Sequence, residues 1–228
     1  MSVAVLEREI YSLAEAARLL RLPSSTLQWW LEGGERHGKL YPPVLRLEPT
    51  SSPSVTWGEF VEAGYLYEYR RRKVSLQQLR PVIDMLRERL DVPYPLAHAK
   101  PFVAEGRRLV LEIQEEVGLP VGLWMVIGAK PGQLVLAPPA DAFFERVEFG
   151  ADEDSWAERI YPLGKESKTV VIDPEKGFGA PTVRGIRTEA LVELVDAGEP
   201  LEVVAEEFSL ALADLKVALA YEWYVAAA

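Results

Sequence analysis

The chain has 228 residues, 25 Lys and Arg against 35 Asp and Glu, a formal net charge of −10, and 49% hydrophobic residues. That apolar share argues against wholesale disorder, and the length leaves room for two compact domains or one elaborated domain. No apolar run approaches the roughly 18 residues of a membrane span, the opening MSVAVLEREIYS lacks the features of a signal peptide and so points to the cytoplasm, and zero cysteines remove disulfides and cysteine-based zinc sites.

The charge is unevenly distributed. Residues 1–90 hold 13 Lys and Arg against 11 Asp and Glu, residues 91–168 hold 8 against 13, and residues 169–228 hold 4 against 11. An acidic rear half would either repel nucleic acid or dock a basic partner.

Tyr11–Gly34, YSLAEAARLLRLPSSTLQWWLEGG, has the pattern of two short helices around a tight turn. Ser12 with Glu15 predicts an N-cap, and Leu13, Ala17 and Leu20 fall on one helical face. Pro23 and Ser24 break the first helix. Ser24 or Ser25 is expected to cap the second, in which Leu27, Trp30 and Leu31 repeat with helical spacing before Gly33 and Gly34 end it. The pair is either a plain helical hairpin or a helix-turn-helix whose second helix reads the DNA major groove. Ala16, the turn and Thr26-Leu27-Gln28-Trp29-Trp30 resemble the MerR-type winged helix-turn-helix, whose second helix reads roughly Thr-Leu-Arg-Tyr-Trp. A hairpin expected over Leu40–Leu47 and Ser54–Trp57 would stand in the wing's place, followed by a helix over Gly58–Tyr69. The resemblance implies a DNA surface formed by Ser24, Ser25, Thr26, Gln28 and Trp29. Gln28 departs from the basic residue usual at its position.

Arg70-Arg71-Arg72-Lys73 is the densest basic run, either a phosphate-contacting segment or a solvated helix end. Ser75–Leu90 reads as a helix in which Leu76, Leu79, Ile83, Leu86 and Leu90 form a short heptad-like seam. That seam either pairs two chains or covers the preceding core. MerR-type regulators dimerise through a helix at this place, which favours Leu76, Leu79, Ile83 and Leu86 as a homodimer contact. Residues 1–90 thus read as a first domain.

Residues 91–169 read as a β-rich middle region. Candidate strands are Arg107–Ile113, Leu123–Ile127, Gln133–Leu136, Phe143–Glu148 and Arg159–Leu163, with a turn at Pro131-Gly132 and an acidic loop at residues 151–154.

Residues 170–228 read as a C-terminal helical domain. Val170–Arg187, VVIDPEKGFGAPTVRGIR, gives strand, turn, glycine-rich loop and strand. Helices follow at Thr188–Ala197, Leu201–Phe208 and Leu212–Val225. Asp173, Pro174, Gly179, Pro181, Arg184, Gly185 and Arg187 resemble the signature of the small helical family catalogued as domain of unknown function 433, whose members commonly sit in toxin–antitoxin operons. Phe178 and Ala180 depart from that signature. On their own chemistry, Arg184 and Arg187 read as structural partners of carboxylates or helix ends.

No spacing for catalysis or a resident metal is evident. The two histidines, His37 and His98, fall in expected loops, and there is no P-loop or G-x-S-x-G. The Gly177–Gly179 pair lacks the rest of a dinucleotide fingerprint. Asp141, Glu145, Glu148, Asp152 and Asp154 form no matched ligand set. The expectation is therefore an α+β protein that is not an enzyme and holds no cofactor. The combination of this front end with this C-terminal family resembles VapB-type antitoxins. That resemblance implies a PIN-domain ribonuclease as partner, double-stranded operator DNA as a second partner, and a homodimer presenting two reading heads. A small-molecule-responsive regulator with an effector pocket in the middle sheet, and an adaptor that binds only protein, are the alternatives.

Overall fold

The structure is a computed structural model, and residues 5–71, 76–102, 104–130, 133–151 and 155–227 are described. It is a mixed α+β protein whose contacts group into two units, Met1–Phe144 with Phe149–Ala157, and Glu145–Glu148 with Glu158–Ala228. The boundaries expected at residues 90 and 169 are replaced by this division.

In the first unit, β1 (Glu9–Ser12) leads into α1 (Leu13–Leu19), whose cap is Ser12, its hydroxyl accepting from the Glu15 N–H at 3.2 Å. A turn containing Arg21 at φ 55° leads to α2 (Ser24–Glu32). Pro23, rather than Ser24 or Ser25, occupies the cap position of α2 and supplies no side-chain cap. Its carbonyl accepts from Thr26 N at 2.9 Å and Leu27 N at 3.2 Å, while both serines lie in the exposed first turn. Gly33 ends the helix at φ 64°, where an added Cβ would lie 2.2 Å from the Tyr41 carbonyl oxygen, so both conformation and space demand glycine.

The expected wing pairing does not form. A tight hairpin joins β2 (Gly34–Arg36) to β3 (Lys39–Tyr41) in the register Gly34↔Tyr41 and Arg36↔Lys39. His37 and Gly38 take positive φ, as a type I′ turn requires. β4 (Ser54–Thr56) pairs antiparallel with β1 instead, through Tyr11↔Val55 and Ser12↔Ser54. The intervening Val44–Arg46 stretch is buried, with Val44 N and Leu45 N both donating to Trp30 O at the end of α2. Those bonds satisfy a carbonyl that the last helical turn leaves open, which is why the segment is not free to pair as a strand.

α3 (Trp57–Arg70) begins with a capping box: Thr56 Oγ1 accepts from Glu59 N, and Glu59 Oε2 accepts from Thr56 N. The helix is buried almost all round, with Trp57, Phe60, Tyr65 and Tyr69 in the core, so the other elements are built about it. Its buried carboxylates have partners. Arg46 Nε donates to Glu59 at 2.6 Å, and the same guanidinium binds Glu32 of α2 and the Ser54 carbonyl. Arg87 donates to Glu62 at 3.2 Å and to the Leu45 carbonyl at 2.6 Å. Full burial raises the Glu62 carboxyl to about 7 against the lowering pull of Arg87.

A short 3-10 turn at Leu76–Gln78 precedes α4 (Arg80–Leu90). Leu79, Ile83 and Leu86 are at most 1% exposed within the chain's own core. Buried in this way they are not offered as a dimer seam; the Leu76 side chain lies outside the described residues. The strand expected at Arg107–Ile113 is instead part of α5 (Ala104–Glu116). Its buried positions Gly106, Val110, Ile113 and Gln114 recur with helical period, and Gln114 bonds the main chain of Met125 and Val126. β5 (Val126–Lys130) and β6 (Gln133–Leu136) pair antiparallel; β5 starts three residues later than the expected Leu123–Ile127, and the expected Pro131-Gly132 turn lies outside the described residues. α6 (Pro138–Phe144) takes the start of the expected Phe143–Glu148 strand, and Phe143 lodges against Gly64 of α3.

The second unit is organised on a five-stranded sheet of β7 (Val147–Phe149), β8 (Ala157–Ile160), β9 (Val171–Ile172), β10 (Pro181–Val183) and β11 (Ile186–Arg187), in the spatial order β11-β10-β9-β8-β7. α7 (Thr188–Asp196), α8 (Leu201–Glu207) and α9 (Leu212–Ala226) follow, close to the expected bounds. Val183, Leu191, Val204, Leu215 and Leu219 form their shared core. Thr188 donates to Glu222 at 2.5 Å, a buried bond that ties the start of α7 to α9.

Candidate functional site

The first candidate surface is the outward face of α2 with its hairpin. Leu27, Trp30 and Leu31 point into the core, which turns Ser24, Ser25 and Gln28 outward and leaves Thr26 and Trp29 half-buried. Trp29 is the joint between helix and hairpin. Its ring lies 5.8 Å from that of Tyr41, Arg36 sits 5.2 Å above it, and Lys39 sits 5.4 Å over Tyr41. Gly34 permits this packing, since a Cβ there would come within 3.1 Å of the Trp29 ring. The result is a helix N-terminus rich in hydroxyls beside a hairpin carrying exposed Arg36, His37 and Lys39. Hydrogen-bonding groups and exposed cations on one face suit a polyanion.

The structure thus brings Ser24, Ser25, Thr26, Gln28 and Trp29 together on one helix. Arg70 and Arg71 are exposed at the far end of α3, where Arg71 pairs with Glu68 at 3.4 Å and lies over the Tyr67 ring. Arg72 and Lys73 lie outside the described residues. Beyond that run, Gln77 donates to Pro42 O and Arg80 to Pro43 O, so the chain returns to the exit of the hairpin. Arg36 and Lys39 were missed by sequence reasoning; the His37-Gly38 pair between two three-residue strands was the available signal.

The second candidate surface is a cleft of about 740 Å3 in the second unit, bounded by Arg159, Lys168, Lys176 and Arg184 with Asp173 and Asp214 between them. β8 supplies Arg159, the turn after β9 supplies Asp173 and Lys176, and the β10–β11 hairpin supplies Arg184. Asp173 is buried; one oxygen accepts from Glu175 N at 2.9 Å, closing the turn, and the other accepts from Arg159 Nε at 2.9 Å. That bond, assisted by Glu148 at 3.2 Å, raises the Arg159 pKa above its ordinary value. Burial, followed by a bond to Glu148, raises that of Tyr161, whose ring carries Lys168 at 5.4 Å. Arg184 and Gly185 form a two-residue type I′ turn with φ 51° and 85° between Val183 and Ile186. Arg184 Nε is 3.5 Å from Asp214.

Of the signature residues, Asp173, Arg184 and Gly185 therefore meet at this cleft. Pro181 begins β10 and offers its carbonyl to Thr188; Pro174 and Gly179 are buried in the turn and loop, and Arg187 is exposed at the start of α7. Arg159 carried no sequence signal, because only the β8–β9 pairing Ile160↔Ile172 brings it to the signature; Lys168 lies two residues before the Val170–Arg187 segment and was not singled out. Among the described residues no group of three or more His, Asp or Glu is arranged to hold a metal ion, and no helix is long and apolar enough to cross a membrane.

Residues 170–221, the segment that forms β9 through most of α9, match the family described as "Protein of unknown function (DUF433)". Across the whole chain, "Uncharacterized protein Rv2308" of Mycobacterium tuberculosis is 38% identical over 226 residues, covering 97% of this chain and 93% of that protein. The chain belongs to the same family. A second protein of that organism, "Putative antitoxin VapB45", is 28% identical over 224 residues and matched across 92% of each chain. The crystal structure of Rv2018 from Mycobacterium tuberculosis superposes with a TM-score of 0.74 at 25% identity, covering 94% of this chain and 99% of that one. The family's architecture thus spans both units, and the DUF433 match accounts for the helical part of the second.

Proposed function

We infer that the chain is an antitoxin that neutralises a PIN-domain ribonuclease and represses its own operon from the cytoplasm. The observation that carries this reading is the full-length similarity to a relative named as an antitoxin, which extends through both units. The α1–α2 pair supports the DNA-binding half: two short helices joined by a tight turn, an outward N-terminal face of Ser24, Ser25, Thr26 and Gln28, and a cationic hairpin directly after α2. Repression through a palindromic operator would use a homodimer, whose contact must lie elsewhere than Leu79, Ile83 and Leu86. The acidic exterior of α7 and α8, with Glu189, Glu193, Glu202 and Glu206 exposed, supports docking of a basic toxin. An inhibitor of this kind works by obstruction and carries no catalysis of its own.

The test is co-expression with a PIN-domain ribonuclease, which this reading expects to be encoded beside the gene. Rescue of growth, a co-purifying complex and retardation of the shared promoter fragment are expected. A neighbouring ribonuclease that stays active in the presence of a folded excess of this protein would overturn the reading.

A further inference from the structure

Residues 169–228 contain 4 Lys and Arg against 11 Asp and Glu, and two of those four cations, Lys176 and Arg184, line the same cleft. Arg159 and Lys168 complete it from the preceding strand and loop. Four of the eight Lys and Arg of the second unit thus lie at one concave place, while the acidic side chains of α7 and α8 point to solvent. With Glu148, which also binds Arg159, four cations face three carboxylates, a local net of +1 that favours a small anion.

The cations are unequally committed. Arg159 is held by Asp173 and Glu148 and forms the wall. Lys168 has no ion-pair partner among the described residues, and Lys176 reaches Asp173 only at 3.8 Å. Arg184 reaches Asp214 through Nε, leaving its terminal nitrogens without a hydrogen bond among the described residues. These three stand exposed on turns around the cleft, with donors available to an incoming anion. Arg184 also adopts φ 51°, a conformation that Asn, Asp or Gly takes far more readily in this turn.

The volume, about 740 Å3, is in the range of small-molecule sites and exceeds what a bare inorganic anion fills. Asp173 is buried and committed to Glu175 N and Arg159, whereas the more exposed Asp214 would repel a second anionic group yet can accept a hydrogen bond from a hydroxyl. We propose that the cleft bounded by Arg159, Lys168, Lys176 and Arg184 binds a small phosphomonoester on a hydroxyl-bearing carrier, the chemistry shared by sugar phosphates and nucleoside monophosphates. The site rests on its own geometry and stands apart from toxin inhibition and DNA binding.

Titration calorimetry of the full-length protein at low salt tests it, with ribose 5-phosphate, AMP, ribose, adenosine and inorganic phosphate as separate probes. At least one of the two phosphoesters should bind, ribose and adenosine should not, and inorganic phosphate should bind more weakly than that ester. Which ester is tighter identifies the carrier. Lys168→Gln with Lys176→Gln should weaken the ester by at least about tenfold. Arg184→Asn removes a cation while suiting the turn better, so it should fold at least as well as the parent and still bind less tightly. Failure of both esters to bind at millimolar concentration, affinity unchanged in the folded variants, or inorganic phosphate binding as tightly as either ester would each overturn the proposal.

Discussion

The guanidinium of Arg36 lies 5.2 Å over the ring of Trp29, so the β2–β3 hairpin and α2 present one surface. If that surface meets DNA, Arg36 and Lys39 contact phosphates and Gln28 faces bases. Replacing Arg36 and Lys39 with alanine should weaken binding to all sequences alike and flatten the plot of log affinity against log salt by about 2, near 0.9 per lost contact. Gln28→Ala should instead change sequence preference with the slope retained. Fluorescence anisotropy over a salt series reads both, and an unaltered slope in the double variant would remove the hairpin from the interface.

Gly64 and Phe143 make a second, purely structural prediction. A Cβ on Gly64 would sit 2.0 Å from the Phe143 ring, on a helix that is buried almost all round. Gly64→Ala should destabilise the chain by about 3 kcal/mol, despite alanine's better helix propensity, because overpacking outweighs the backbone gain. Combining it with Phe143→Leu should recover part of the loss. Urea midpoints of the four proteins form the cycle, and additive effects would show that the two residues do not meet.

How much of this was legible in the sequence differs between the units. In the second, Leu191, Leu194 and Val195 in α7 and Leu212, Leu215 and Leu219 in α9 recur at helical spacing and Gly177, Gly179 and Gly185 mark the loop turns, so strand, loop and three helices could be placed closely. In the first, RRLVLEI at residues 107–113 carries the β-formers of a strand, yet Gly106, Val110 and Ile113 decide for a helix once packed. The buried Arg46 was illegible because its partners Glu32, Glu59 and Ser54 come from three elements. The α2 face could be read from local periodicity. The cleft could not, since sheet pairing alone joins Arg159 to Asp173.

Glu62 gives the stability a pH dependence with a defined sign. Its folded pKa is raised from the usual carboxyl value of 4.5 to about 7 by burial. The native state therefore holds a proton that the unfolded chain releases, and Glu62's contribution is full below about 4.5 and lost as pH rises through about 7. The shift corresponds to about 3 kcal/mol. Glu62→Gln, which keeps an acceptor for Leu96 N and loses the titration, should flatten the stability profile between pH 4.5 and 7. Denaturant unfolding at several pH values measures it; a profile equally steep in the variant would assign that slope to other groups.

The acidic exterior of α7 and α8 supports a prediction about the toxin. A fragment cut at Asp91 would not test it, because the cut removes α3 and α4 from the core that α5 completes. Charge reversal in the full chain is the cleaner experiment. Glu193, Asp196, Glu202 and Glu206 are exposed, so lysine at all four leaves the packing of Leu191 and Val204 untouched. Association with a basic ribonuclease should slow by about tenfold or more at low salt and lose most of its salt dependence, while dissociation changes little, since long-range charge acts chiefly on encounter. Operator binding, which would use α2, should not weaken. Stopped-flow mixing with the ribonuclease separates the two rates. An unaltered association rate in the folded variant would place the toxin surface away from these helices.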